Sequence, residues 1–366
     1  MPEAELHIDL GAIAANYATL RAVAGGQEVA GVLKADAYGL GAEAVAPVLW
    51  EAGCRTFFTA KLDEALKLRT ILPRAVIYVL EGVTAAEIEA FRAADLCPVL
   101  NQPGEVELWA AAAGRAGKKL PAGLQLETGM CRMGMAAGDL DAIRPAWLAA
   151  IDLALVMSHL ACADQPAHPQ NTRQLQRFNA LAARLPKAPK SIANSSGIFL
   201  GPDFATDLAR PGAALYGINP TPGRPNPMRP AVRLRAPVLR VLHLDGPEAV
   251  GYGATHTVEA GARIATIGIG YADGLPRAAG GLALASIDGR TVPLIGRVSM
   301  DLTTLDVSGV DAVGIGTTVE LFGPGFDLDA VAAAAGTIGY EILTRLGSRF
   351  RRVYEGQQVR EGQDAA

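Results

Sequence analysis

Residues 29–41 read VAGVLKADAYGLG: a short apolar run that ends on a lysine and breaks into a glycine-containing turn, followed by an Ala- and Leu-rich stretch over 42–52. Strand, turn and crossover helix make one βα unit. The pattern recurs along the chain. Further strands are expected at 56–59, 75–80, 98–100, 123–127, 153–158 and 191–193, with a weaker one near Leu208, and helices at 62–69, 85–94, 105–113 and 172–184. Eight such units can close on themselves, so the fold class is α/β with an N-terminal (β/α)8 TIM-type barrel. Within 172–185, Leu175, Phe178, Leu181, Ala182 and Leu185 recur at helical spacing, and Arg173, Gln174, Gln176 and Arg177 alternate with them as the polar residues.

The grammar changes at residues 218–230, INPTPGRPNPMRP, where five prolines in 13 residues can continue neither a helix nor a central strand. Beyond it, 232–244, 263–269, 282–287, 291–295, 302–307 and 318–321 read as strands separated by Gly, Pro and Asp turns, with one helix at 328–335. Asp288-Gly289 between two of them is a hairpin signal. Two domains follow: a barrel over 1–228 and a predominantly β domain over 229–366. A short apolar run at 6–10 precedes a helix at 13–23, and residues 1–10 could join the C-terminal domain instead of the barrel.

Of the 366 residues, 50% are hydrophobic and 19% charged, which suits a folded globular chain rather than a disordered one. Thirty-three basic against 37 acidic residues give a net charge of −4 with no long basic run, which argues against a nucleic-acid partner. No apolar stretch approaches the ~20 residues of a membrane span, and the start, MPEAELHIDL, lacks a signal-peptide pattern. The four cysteines, Cys54, Cys97, Cys131 and Cys162, form neither a disulfide scaffold nor a CxxC motif, and a reducing cytoplasm fits them. There is no phosphate-binding GxxxxGK[ST], no HExxH and no Rossmann fingerprint.

In a barrel the site forms at the C-terminal ends of the strands. There the chain places Lys34, then Glu127 and Arg132 in LETGMCRMG, His159, Asn194 with Ser195, and Arg210 in LARPGAALYG. Lys34, after three apolar residues, sits where desolvation lowers an amine's pKa and favours Schiff-base chemistry with an aldehyde cofactor. Taken alone it reads better as a lysine snorkelling from a strand end, and the company it keeps reverses that preference. Arg210, Asn194, Ser195 and the approachable backbone at Gly212 suit an anion such as phosphate, or ordinary turn chemistry. His159 could simply satisfy a neighbouring carbonyl, and with Cys162 alone it does not define a zinc site, so no metal is expected. Five of the eight tyrosines adjoin glycines, at 38, 216, 252, 271 and 340, a setting that presents a phenol to a cavity or a partner.

The motifs GVLKADAYGLG, LETGMCRMG, SHL, ANSSG, LARPGAALYG, GYGATH, IGYADG, GRVSMD and TIGYEILTRLGSR, in this order, resemble those of bacterial alanine racemases over nearly the whole chain. The resemblance implies an isomerase that interconverts L- and D-alanine with pyridoxal 5'-phosphate, held by Lys34 as an internal aldimine. Lys34 and Tyr252 would be the two acid/base groups, one on each face of the substrate Cα, with Tyr252 supplied by the neighbouring subunit of a homodimer. It also implies that Tyr38, Ser195, Tyr340 and the amides of Gly212 and Ala213 cup the phosphate, with Asn194 in the same loop. Arg210 would face the pyridine nitrogen and His159 would orient it. Arg132 would lie beside the cofactor's phenolic oxygen and the substrate carboxylate, Met300 of the partner would contact that carboxylate, and Tyr271 and Asp301 would line the entrance. In two places the chain departs from the family pattern. Gln125 stands where many members have a carbamylated lysine supporting the arginine, leaving one amide oxygen for Arg132 or a role for chloride, and Leu40 stands where histidine is frequent. A racemase of broader range, including serine, an amino-acid decarboxylase, and a non-catalytic pyridoxal-phosphate carrier are the competing readings. GYGATH and the final third of the chain argue against the carrier.

Overall fold

A computed structural model describes residues 3–356, so residues 1–2 and 357–366 of the two expected domains lie outside the described residues. Seven parallel strands run in sequence order: Gly31–Val32, Thr56–Thr59, Val76–Val79, Cys97–Leu100, Leu120–Gln125, Ile151–Met157 and Lys190–Ser191. The eighth, Leu208–Ala209, pairs in parallel with Glu28–Val29, the first half of the opening strand, and Arg210 N donates to the Ala193 carbonyl at 2.9 Å. These bonds close the cylinder. Covered by helices outside and side chains inside, the strands read as continuous apolar runs, and Phe57, Phe58, Ile77, Val99 and Leu124 are fully buried.

Helices Leu10–Val23, Ala42–Glu51, Leu62–Ile71, Ile88–Ala93, Pro103–Ala116 and Pro169–Ala182 form most of the outer ring. Pro103 opens its helix at the position where a missing N–H costs nothing, and Gly117 closes it in the left-handed region at φ 64°. The crossover before Ile151–Met157 uses two short helices, Ala137–Ala142 and Pro145–Ala150, which the sequence pattern did not reveal. At six residues each, they are too short to show a periodic stripe.

The C-terminal domain is an eight-stranded sheet built around the long strand Val232–His243. The N-terminal strand Glu5–Asp9 belongs to this sheet. It lies antiparallel to Val232–His243 and parallel to Arg351–Glu355. In the hairpin between Leu284–Ile287 and Arg290–Ile295, Asp288 and Gly289 both take positive φ, 47° and 78°, as its tight turn requires. The pattern missed a smaller hairpin, Glu248–Val250 with His256–Val258, and the helix Gly339–Arg345. Buried Asn16 ties the proline-rich connector to the barrel: its amide donates to the carbonyls of Leu215 and Arg229 and accepts from Arg229 N.

Candidate active site

Lys34 opens a helical turn, Lys34–Gly39, in which Ala35, Asp36, Ala37 and Tyr38 all have φ between 53° and 58°. Each L-residue in that left-handed region costs about 1–2 kcal/mol, so the turn persists only because its surroundings hold it. Glu64 accepts from Ala35 N at 2.6 Å and, through its other oxygen, from Ala60 N at 2.8 Å. Asp36 accepts from Ala42 N through Oδ1 and from Gly41 N through its carbonyl. The C-terminal domain closes the other side. Arg352 donates to the Gly39 carbonyl at 3.1 Å, Tyr354 donates to the Leu40 carbonyl at 3.0 Å, and a Cβ on Gly39 would lie 2.5 Å from the Leu343 carbonyl oxygen.

This turn delivers Tyr38 into a tilted ring contact with Tyr216, centroids 4.9 Å apart, and towards Tyr340 of the C-terminal domain at 6.3 Å. The hydroxyl of Tyr38 fills the space that a Cβ on Gly212 would need. Ser195 Oγ accepts from Gly212 N at 3.1 Å and Ala214 N at 3.2 Å, gathering Tyr38, Ser195, Gly212 and Ala213 at one strand-end corner. Asn194 shapes the corner from behind, accepting from Gly197 N and donating to the Leu160 carbonyl. Tyr216 does not present its phenol to a cavity, contrary to what its glycine neighbour suggested: it is buried and donates to the Val32 carbonyl at 2.9 Å.

Four basic groups converge beside this corner. Burial, then the nearby Arg132, lowers the Lys34 pKa, with Glu64 and Glu81 opposing. His159 is pushed down to about 3 by burial and by Arg210, Arg132 and Lys34. Arg210, 5% exposed, is pushed down to about 9 by burial. Its guanidinium donates to Ser191 Oγ and, at 2.5 Å, to the Ser158 carbonyl, and among the described residues no carboxylate forms an ion pair with it. A buried, uncompensated cation beside a depressed-pKa lysine is a site prepared for an anionic ligand with an amine-reactive group.

Arg132 itself is exposed, on a loop fixed by Glu127, whose carboxylate accepts from Gly129 N and Cys131 N. Gln125 is buried and donates to the Met133 carbonyl at 3.3 Å, so its amide supports the backbone of this loop. Tyr252, Tyr271, Met300 and Asp301 are exposed on the C-terminal domain, Tyr252 being 69% exposed, and among the described residues no side-chain hydrogen bond or ion pair joins them to Lys34, Arg132, His159 or Arg210. Arg349, which sequence reasoning passed over, pins the turns that carry Asp273 and Asp301 together by pairing with Asp273 at 2.7 Å and Asp301 at 2.8 Å.

Residues 8–220 match the family described as alanine racemase, N-terminal domain, and residues 231–354 the alanine racemase, C-terminal domain. The chain belongs to the alanine racemase family. It is 52% identical to an alanine racemase of Rhodospirillum rubrum over 98% of this chain and 96% of the relative. It is 48% identical to a protein named "Alanine racemase, catabolic" of Mesorhizobium japonicum, over 96% and 93% of the two chains. Among solved structures, the alanine racemase of Bartonella henselae with covalently bound pyridoxal phosphate superposes with a TM-score of 0.93 at 38% identity, covering 97% of this chain and all of that one. The biosynthetic alanine racemase of Pseudomonas aeruginosa gives 0.90 at 35% identity, covering 97% and 100%. Alanine racemases are pyridoxal-phosphate-dependent isomerases, and the buried Arg210 and the Tyr38–Gly212 corner fit that cofactor's ring and phosphate.

Proposed function

We propose that this chain interconverts L- and D-alanine in the cytoplasm, as a homodimer whose two sites are each completed by residues of both copies. The observation that carries this reading is the convergence of Lys34, Arg132, His159 and Arg210 on one strand-end corner, with the acid/base tyrosine exposed elsewhere on the same chain.

Pyridoxal phosphate, when bound, supplies an aldehyde for amines and a conjugated ring that acidifies the α C–H of an attached amino acid. Tyr38, Ser195, Tyr340 and the amides of Gly212 and Ala213 would hold its phosphate, with Asn194 positioning their loop. Arg210 would face the ring nitrogen, where its positive charge disfavours protonation and so restrains side reactions. His159, pressed electrostatically against Arg210, remains neutral near pH 7 and can accept a hydrogen bond.

The desolvated Lys34 carries more neutral amine near neutral pH than a surface lysine, which suits it to attack an aldehyde and to hold or release a proton at the substrate Cα. Inversion at that carbon needs a second group on the far face. Tyr252 is exposed, and the charged groups that bear on Lys34 are Arg132, Glu64 and Glu81, which supports a role for Tyr252 in the site of a second copy. Arg132 and the backbone of Met300 of that copy would bind the substrate carboxylate, with Tyr271 and Asp301 at the entrance.

The test is D-alanine formation from L-alanine by the purified protein, alongside Lys34→Ala and Tyr252→Phe. Lys34→Ala should abolish normal cofactor attachment. Tyr252→Phe should keep the cofactor and slow hydrogen exchange at Cα unequally for the two enantiomers; near-normal, symmetric exchange would overturn its role. Serine offered in both enantiomers measures the breadth of the pocket.

A further inference from the structure

Gln174, expected on the polar side of its helix, is completely buried on the stripe Asn171, Gln174, Phe178 and Ala182. A buried amide must find partners, and this one finds three. Its Oε1 accepts from Ala161 N at 2.8 Å, while Nε2 donates to the His159 carbonyl at 2.8 Å and to Thr128 Oγ1 at 3.1 Å. The first two partners lie on the loop that carries His159, and Thr128 lies on the loop that carries Arg132. One side chain thus ties the two loops together.

The chain of bonds continues to Arg210, and its direction is determined. Ser158 Oγ spends its single proton on the Leu126 carbonyl at 2.9 Å, so Thr128 must donate in the 2.7 Å bond between the two hydroxyls. Thr128 Oγ1 therefore receives its incoming proton from Gln174. The Ser158 carbonyl, one bond path further, accepts from Arg210 at 2.5 Å. From the same helix, Gln170 donates to the Gly129 carbonyl at 2.7 Å, bracing the Arg132 loop a second time.

We infer that Gln174 is a positioning residue that sets the spacing of Arg132, His159 and Arg210 from outside the site, and thereby the capture of the substrate carboxylate. This inference rests on the racemase reading above.

Gln174→Met fills the same space and removes all three bonds. In the cofactor-loaded dimer it should raise KM for alanine roughly tenfold while kcat falls by less, with the cofactor's visible absorbance unchanged. Independently of catalysis, amide hydrogen exchange over 127–135 and 158–161 should quicken in the variant. Asn171→Met is the control, because Asn171 lies on the same buried stripe and donates to the Cys162 and Gln165 carbonyls on the far part of the His159 loop, but makes no hydrogen bond to the loop that carries Arg132 and so does not tie the two together. Thr128→Val, which removes only the relay hydroxyl, should raise KM in the same direction and replaces Gln174→Met if that variant fails to fold. KM within about twofold of the parent, unaltered exchange in the two loops, or an equal rise in KM for Asn171→Met would each overturn the inference. A parent protein without racemase activity would sink the functional reading instead, and the exchange measurement would still decide whether Gln174 holds the loops.

Discussion

The hydroxyl of Tyr38 lies where a side chain on Gly212 would have to be, and the Tyr38 Cζ is 2.9 Å from the position of that missing Cβ. Gly212 is therefore required by space rather than by dihedral freedom. Gly212→Ala should displace Tyr38, disturb the Ser195 corner and weaken cofactor affinity by roughly tenfold or more, read by titrating the apoprotein with pyridoxal phosphate. Unchanged affinity would mean that Tyr38 has no part in holding the phosphate.

If each site draws Lys34 from one copy and Tyr252 from the other, two inactive variants can repair each other. Co-expressed Lys34→Ala and Tyr252→Phe chains should form mixed dimers in which one site has both groups, restoring about a quarter of parental activity with random pairing. Activity no greater than that of the separate variants would show that the two residues act within one chain.

His159 makes acid stability measurable. Its folded-state pKa, about 3, lies below the ordinary value of 6.5, so between these values the unfolded chain binds a proton that the folded chain refuses. The contribution is fully present above about pH 6.5 and is lost as pH falls towards 3. Between pH 7 and pH 4, the melting temperature of His159→Gln should fall by less than that of the parent; parallel curves would refute the assignment.

Tyr354 reaches from the C-terminal domain to the Leu40 carbonyl, just past the left-handed turn. Tyr354→Phe should cost about 1 kcal/mol of stability, seen as a lower denaturant midpoint at an unchanged slope.

The barrel strands were legible because two-sided burial leaves short apolar runs, and Lys34, His159, Ser195 and Arg210 drew attention because they come within a few residues of those runs, whereas Arg132 lies further out on the loop beyond Gln125. What escaped depended on partners remote in sequence. Gln174 looks like a solvent-facing residue until it is placed with Asn171, Phe178 and Ala182 at spacings of three and four, a regularity visible in the sequence once polar residues are admitted to the stripe. Arg349 gave no local signal, since its meaning comes from Asp273 and Asp301, both more than 45 positions away. The four consecutive left-handed residues after Lys34 are Ala, Asp, Ala and Tyr, none of them glycine, so local propensity points the wrong way and the bonds from Glu64, Asp36 and the C-terminal domain account for the turn.

The strand Glu5–Asp9 leaves the ribosome long before one of its two neighbours, Arg351–Glu355. During synthesis the barrel can assemble while this segment still has an open edge, and the sheet that receives it cannot be finished until Arg351–Glu355 has emerged. A nascent chain stalled before residue 351 would carry an almost whole barrel with an unprotected strand at its front, a species for chaperones to shield.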